Sequence, residues 1–246
     1  MNNDFLEVGR VKALYRYPVK SMRGESLEAV SLGWYGLDGD RRFAFIRGDQ
    51  ANSGFPWLTG RQIPEMIQYT ARFTAPNDLL QSPVEVTTPC GRVLPVQSAE
   101  LCQELAHAYG HDVQFMKLKR GLFDSLSLSV MSTATADALS ESSGLPVDFR
   151  RFRQNLILET FSGQPFAEES WLDGVLTFGD RPDAPRIRLN RRIERCAMIN
   201  LDPETSEKRP ALLRHVAQTR DNCVGVHATP ERQGTIQVDD IVRLWL

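Results

Sequence analysis

The first well-formed helical pattern in this chain of 246 residues begins only at Ala99. Everything before it reads as strands cut by Gly, Pro, Asp and Asn, the pattern of an all-β region. Val8–Tyr17 is rich in β-branched, aromatic and aliphatic residues and stops at Pro18. Ser26–Leu32 alternates, and Arg41–Arg47 carries Phe43, Phe45 and Ile46 after a turn-rich Gly36–Asp40. Val84–Thr88 and Arg92–Val96 flank Pro89-Cys90-Gly91 as a hairpin. In Ala99–Tyr109, Leu101, Leu105 and Ala108 fall at helical spacing and Gly110 is the stop.

The second half continues in this style. Thr133–Ser142 is predicted helical, closed by Gly144, and Ala211–Arg220 is a helix that Pro210 can start. Phe152–Glu159 and Arg186–Arg195 are predicted strands, with Val224–Ala228, Thr235–Val238 and Asp240–Leu246 as closing strands. On a strand, Arg151 and Arg153 share a face and Arg150 takes the other. The expected class is α+β, predominantly β, with barrel-like sheets and a few helices. A domain boundary is expected within 110–125, where the pattern is weakest.

Composition excludes several functions. With 29 Lys+Arg against 31 Asp+Glu, the net charge of -2 argues against a nucleic-acid binder. An apolar content of 41% at so low a net charge argues against disorder. No apolar run approaches the ~20 residues that cross a bilayer. Met1–Val11 lacks a charged leader with an apolar stretch, so a cytoplasmic protein with reduced thiols is expected. Cys90, Cys102, Cys196 and Cys223 show no CxxC spacing, which disfavours structural zinc and iron–sulfur sites.

The basic residues nevertheless cluster. Arg186, Arg188, Arg191, Arg192 and Arg195 form one group, Arg150, Arg151 and Arg153 a second, and Arg41 and Arg42 a third. Each can be a solvated strand edge. Together they also suit an anion, because planar guanidinium groups bind phosphate in bidentate fashion. Cys196 follows Arg195, whose charge would favour the thiolate that attacks or binds metal. The alternative is a small buried apolar residue in a strand. His107 and His111 lie four apart, but Gly110 ends the helix between them, and surface positions are expected. There is no nucleophile elbow, P-loop or dinucleotide fingerprint.

Several blocks in order resemble a known family. They are Tyr17-Pro18-Val19-Lys20-Ser21 with Gly24, Gly36-Leu37 with Asp40-Arg41-Arg42-Phe43, and Thr59-Gly60-Arg61-Gln62. Phe152-Arg153-Gln154-Asn155, Pro165 through Trp171, Arg195-Cys196, Asp202-Pro203 and Gly234-Thr235-Ile236 follow. The set resembles MOSC proteins, named for the molybdenum-cofactor sulfurase C-terminal domain, which include the mitochondrial amidoxime reducing component and its bacterial relatives. The resemblance implies an N-terminal β-barrel-like domain over residues 1–117 and a MOSC β-barrel domain over 118–246. Where the family often has proline, this chain has Gln154. Val224-Gly225 and Asp239-Asp240 also depart from its pattern, near the closing strands.

The resemblance further implies a molybdenum-molybdopterin (pyranopterin dithiolene) cofactor with Cys196 as metal ligand and catalytic residue. Lys20, Ser21, Arg41, Arg153, Asn155 and Arg195 would hold the pterin and its phosphate, with Asp124 and Ser132 as further contacts. The implied activity is reduction of N-hydroxylated or N-oxygenated small molecules. With no attached ferredoxin-like domain, electrons would come from a separate ferredoxin- or flavoprotein-type partner. Two other readings are a carrier of Cys196-bound sulfur and a non-catalytic cofactor-binding protein.

Overall fold

The computed structural model describes residues 5–76, 78–119, 123 and 127–246. The first part contains β1 (Leu6–Arg16), β2 (Glu25–Leu27), β3 (Ala29–Gly33), β4 (Gly36–Leu37) and β5 (Phe43–Arg47). It continues with β6 (Thr70–Phe73), β7 (Val84–Thr87), β8 (Val93–Pro95), α1 (Ala99–Tyr109) and β9 (Val113–Lys117). Then come β10 (Leu128–Ser132), α2 (Thr133–Ser143), β11 (Leu156–Thr160), β12 (Val175–Phe178) and β13 (Arg186–Glu194). The chain ends with α3 (Ala211–Arg220), β14 (Cys223–Arg232), β15 (Gly234–Gln237) and β16 (Ile241–Trp245).

Seven strands close a barrel in the order β11, β10, β14, β13, β12, β16, β1, because β1 pairs with both β16 and β11. Closure leaves no free edge among these seven. β10 and β11 are parallel, and α2 lies in the crossover that such a pair requires. Leu14, Leu156, Phe178, Leu189, Val226 and Leu244 are buried in the barrel's core. Thus β1, from the first half of the chain, completes a core built mainly by the second.

A second core lies among β5 and β9, the β6–β7–β8 sheet and α1, around Phe45, Leu58, Met66, Tyr69, Leu101 and Leu105. Ser98 caps α1 by accepting from the Leu101 amide, and Gly110 ends it at φ 85°. A third cluster packs α2 and α3 around Met131, Leu139, Phe152, Ile199 and Val216.

Two expected strands are corrected. Ser26–Leu32 divides at Glu28, because β2 pairs with β1 whereas β3 pairs with β15. The strand expected from Phe152 starts only at Leu156. Before it, Phe149–Phe152 forms a 3-10 turn: Asp148 accepts from the Arg150 amide, and Arg153 ends the turn in the left-handed region. Arg150, Arg151 and Arg153 therefore do not alternate on two strand faces.

Candidate functional site

A cavity of about 320 Å³ collects residues distant in sequence. Lys20, Ser21 and Arg41 enter from the segments after β1 and before β5. Arg151, Arg153 and Asn155 come from the 3-10 turn and the approach to β11, and Arg195 and Cys196 from the end of β13. β13 carries three register irregularities against β14, the last between Arg192 and Glu194. Such bulges bend a strand and re-aim its side chains, here just before Cys196.

Two hydrogen-bonded residues join the halves of the site. The Asn155 amide donates to Ser129 Oγ at 3.1 Å, and its Nδ2 to the Tyr15 carbonyl at 3.2 Å. Its Oδ1 accepts from Ser129 Oγ at 3.0 Å and from Arg41 Nη1 at 3.3 Å. Arg41 also pairs with Asp40 and donates Nη2 to the Arg153 carbonyl at 2.9 Å. Asp40 in turn accepts from the Tyr17 amide at 2.7 Å.

Tyr17 is the buried plate beneath these cations. The Arg41 and Arg153 guanidinium carbons lie 4.9 and 4.4 Å from its ring centroid. Burial pushes its phenol up to about 12, against the opposing pull of Arg153 and Arg41. Its hydroxyl donates to the Gln154 carbonyl at 3.2 Å.

The backbone here is unusual. Ser21, Arg41 and Arg153 have φ of 68°, 43° and 53°, in the left-handed region that favours glycine. Each such residue costs about 1–3 kcal/mol and persists where its surroundings over-determine it, as at functional sites. Three of them line one cavity.

The lining includes Lys20, Arg41, Arg61, Arg151, Arg153 and Arg195 against one carboxylate, Glu194. Lys20 Nζ donates to the Phe123 carbonyl at 2.6 Å. Arg195 donates to the carbonyls of Val224 and Phe152. Arg151 pairs with Asp202 at 2.6 Å. Cys196 is exposed, which removes the buried-apolar alternative for its thiol. An exposed thiol beside a cationic lining suits a large anion that also offers a soft metal.

Seven of the expected residues therefore converge: Lys20, Ser21, Arg41, Arg153, Asn155, Arg195 and Cys196. Ser132 does not line the cavity; it is fully buried and caps α2 by accepting from the Thr135 amide at 3.2 Å. Asp124 lies outside the described residues. Of the β13 cluster, Arg195 alone lines the cavity among the described residues. Arg150 points elsewhere, paired with Asp148 and Glu204.

Other lining residues were missed by the sequence reading. Arg61 lay inside a recognised block and Arg151 in a basic cluster, neither with an assigned role. His227, hydrogen-bonded to the Leu128 carbonyl at 3.3 Å, lies between Val226 and Ala228, and Ser129 between Leu128 and Val130; a polar residue between apolar neighbours is the one signal they offered. A second cavity of about 220 Å³, with Tyr15, Tyr17, Ile67 and Leu201, shares Arg151, Arg153 and Met198 with the first. Among the described residues, no group of three or more His, Cys, Asp or Glu could hold a metal ion. Among the described residues no helix is long and apolar enough to cross a membrane.

Comparison with known proteins follows the same lines. The family model described as MOSC domain matches residues 117–243, and that described as MOSC N-terminal beta barrel domain matches residues 8–119. Among curated proteins none matches. The crystal structure of YuaD protein from Bacillus subtilis is similar at TM-score 0.51 and 11% identity, over 98% of this chain and 97% of that one. YiiM from Escherichia coli is similar at TM-score 0.41 and 13% identity, over 94% of this chain and 70% of that one.

Proposed function

Because this chain belongs to the MOSC family, whose domain is associated with molybdenum-cofactor binding, we propose that the cavity holds a molybdenum-molybdopterin cofactor. We propose further that the loaded protein reduces N-hydroxylated or related N-oxygenated small molecules. The observation that carries this reading is the convergence of an exposed thiol, Cys196, with a strongly cationic lining in a protein of net charge -2.

Cys196 is assigned as the protein's sulfur ligand of the metal, a thiolate that suits high-valent molybdenum already held by dithiolene sulfur. Lys20, Arg41, Arg153 and Arg195 neutralise the phosphate and polar edge of the pterin, while Ser21 and Asn155 offer neutral hydrogen bonds. Asp40 and Tyr17 hold Arg41 from below, so the guanidinium is oriented before any ligand arrives. The bound cofactor supplies two-electron oxygen-atom transfer. A separate electron-transfer protein, of ferredoxin or flavoprotein type, supplies the electrons.

The exposure of Cys196 also suits a sulfur carrier, and cofactor content separates the two readings. Protein made in a host with intact molybdenum-cofactor synthesis is expected to contain molybdenum and pterin and to reduce an amidoxime with reduced viologen. Cys196→Ser should lose that turnover by more than about 100-fold, whereas Cys90→Ser, Cys102→Ser and Cys223→Ser retain it. Full turnover in Cys196→Ser would overturn the assignment. Persulfide on Cys196 without metal would favour sulfur carriage.

A further inference from the structure

The cavity's rim carries one cation with no task in holding the cofactor. Arg61 is exposed, and its guanidinium carbon lies 4.6 Å from the centroid of the Phe55 ring. Among the described residues it forms no ion pair. Its Nε donates to Thr59 Oγ1 at 3.3 Å, and its two terminal nitrogens make no hydrogen bond. Arg41 and Arg151, by contrast, are buried and spend their charge on Asp40 and Asp202.

The rim is held in shape from both sides. Thr59 accepts from the Arg61 amide at 3.2 Å and donates to Gln62 Oε1 at 2.9 Å, which fixes the turn beneath the guanidinium. Arg47 donates to the Phe55 carbonyl at 2.6 Å, anchoring the aromatic. Phe55 is nevertheless 41% exposed, a large ring left facing solvent beside the cavity it lines.

The turn also lies against the segment that follows Cys196. A Cβ at Gly60 would stand 3.1 Å from Met198 Cε and 2.8 Å from Leu201 Cδ1, so the turn packs directly against these side-chain ends. Phe55 and Arg61 thus belong to the wall nearest the thiol's own segment, whereas Arg41 and Arg153 sit on the Tyr17 plate. Buried, pre-paired cations suit a resident group. An exposed ring with an unpaired planar cation suits a ligand that comes and goes.

The geometry points to Phe55 and Arg61 as the specificity-determining pair, selecting substrates whose planar ring carries a carboxylate on the side away from the reacting nitrogen. The substrate ring lies on Phe55, and its carboxylate takes the terminal nitrogens of Arg61, a fork that matches carboxylate geometry. This inference rests on the reductase reading above.

The test compares 4-carboxybenzamidoxime with benzamidoxime on protein from a cofactor-competent host. Binding is measured by calorimetry without an electron donor, and KM with reduced viologen. The carboxylated ligand is expected to bind roughly fivefold more tightly, the scale of a solvent-facing charge pair. Arg61→Ala should bring the two affinities within about twofold, and Arg61→Lys should keep part of the preference. Phe55→Leu should weaken both ligands, and Arg72→Ala on the β6–β7 hairpin should leave the preference in place. Equal affinities in the unaltered protein, no binding of either ligand, or a preference that survives Arg61→Ala would overturn the inference. Turnover of both compounds without preference would sink the rim assignment and leave the reductase standing. Loaded protein that binds with the preference but reduces neither compound would sink the reductase and leave the rim.

Discussion

On the outer face of β13, Arg188 pairs with Glu231 at the protein surface, and Arg192 pairs with the half-buried Glu169. Around the cavity, Arg41 and Arg151 are buried, and Arg41 and Arg153 rest on Tyr17 with their own backbones in the left-handed region. In sequence the β13 cluster is the largest group of arginines. Yet it contributes only Arg195 to the cavity, because alternate residues of a barrel strand point outward and meet acids from neighbouring segments. Local density of arginine therefore measures how many cations a strand can show to solvent. An anion site needs cations that the fold carries inward and fixes.

The sharpest way to break this contrast is charge reversal. Arg153→Glu should reduce bound pterin by about 100-fold or more, since it replaces a charge-assisted bond with a like charge beside the phosphate. Arg188→Glu should leave pterin content unchanged. Released pterin per mole of protein, with circular dichroism to confirm folding, is the measurement. Full pterin in a folded Arg153→Glu would return the cavity arginines to the status of the outer ones.

Next in size is the loss of a buried partner. Asp40 has a fully buried carboxylate that pairs with Arg41 and accepts from the Tyr17 amide. Asp40→Ala should lower unfolding free energy by about 3–5 kcal/mol, because a buried cation is left without its counter-charge. On the outer face, Glu231→Ala should cost less than about 1 kcal/mol. Denaturant titration of both variants gives the comparison, and equal losses would contradict it.

A smaller effect, of opposite sign, lies beside the site. Gln154 is 1% exposed, and neither atom of its side-chain amide has a hydrogen-bond partner among the described residues. Gln154→Met should stabilise the fold by about 1–3 kcal/mol, the cost of leaving a buried polar group unsatisfied. A loss of stability would mean that this amide is engaged in solution.

Where local chemistry decided the structure, it was readable. Ser98 and Gly110 bracket α1, Gly144 stops α2, and Pro210 precedes α3. Seven residues that line the cavity were readable for another reason: they sit in ordered blocks resembling a family. What escaped depends on distant contacts. The split at Glu28 follows from two different pairing partners, β1 and β15. The late start of β11 follows from the Asp148 cap and the packing of Phe152. Ser132 caps α2, and a helix cap and a ligand contact ask for the same hydroxyl, so residue type alone does not separate them. Arg61 and His227 become visible as site residues only once the turn at Gly60 and strand β14 are brought to one cavity.

The barrel's closure has a consequence in time. Residue 9 lies opposite residue 160 on one side and residue 242 on the other. During synthesis, β1 emerges first among the barrel strands and β16 last, so the ring stays open until nearly all of this sequence has left the ribosome. Pairings this distant close slowly, and until then the Leu6–Arg10 half of β1 lacks one neighbour, while the cavity lining itself reaches from Lys20 to His227. The cavity is therefore a late product of folding. An anion held there would meet a site whose strained turns and buried ion pairs are already set.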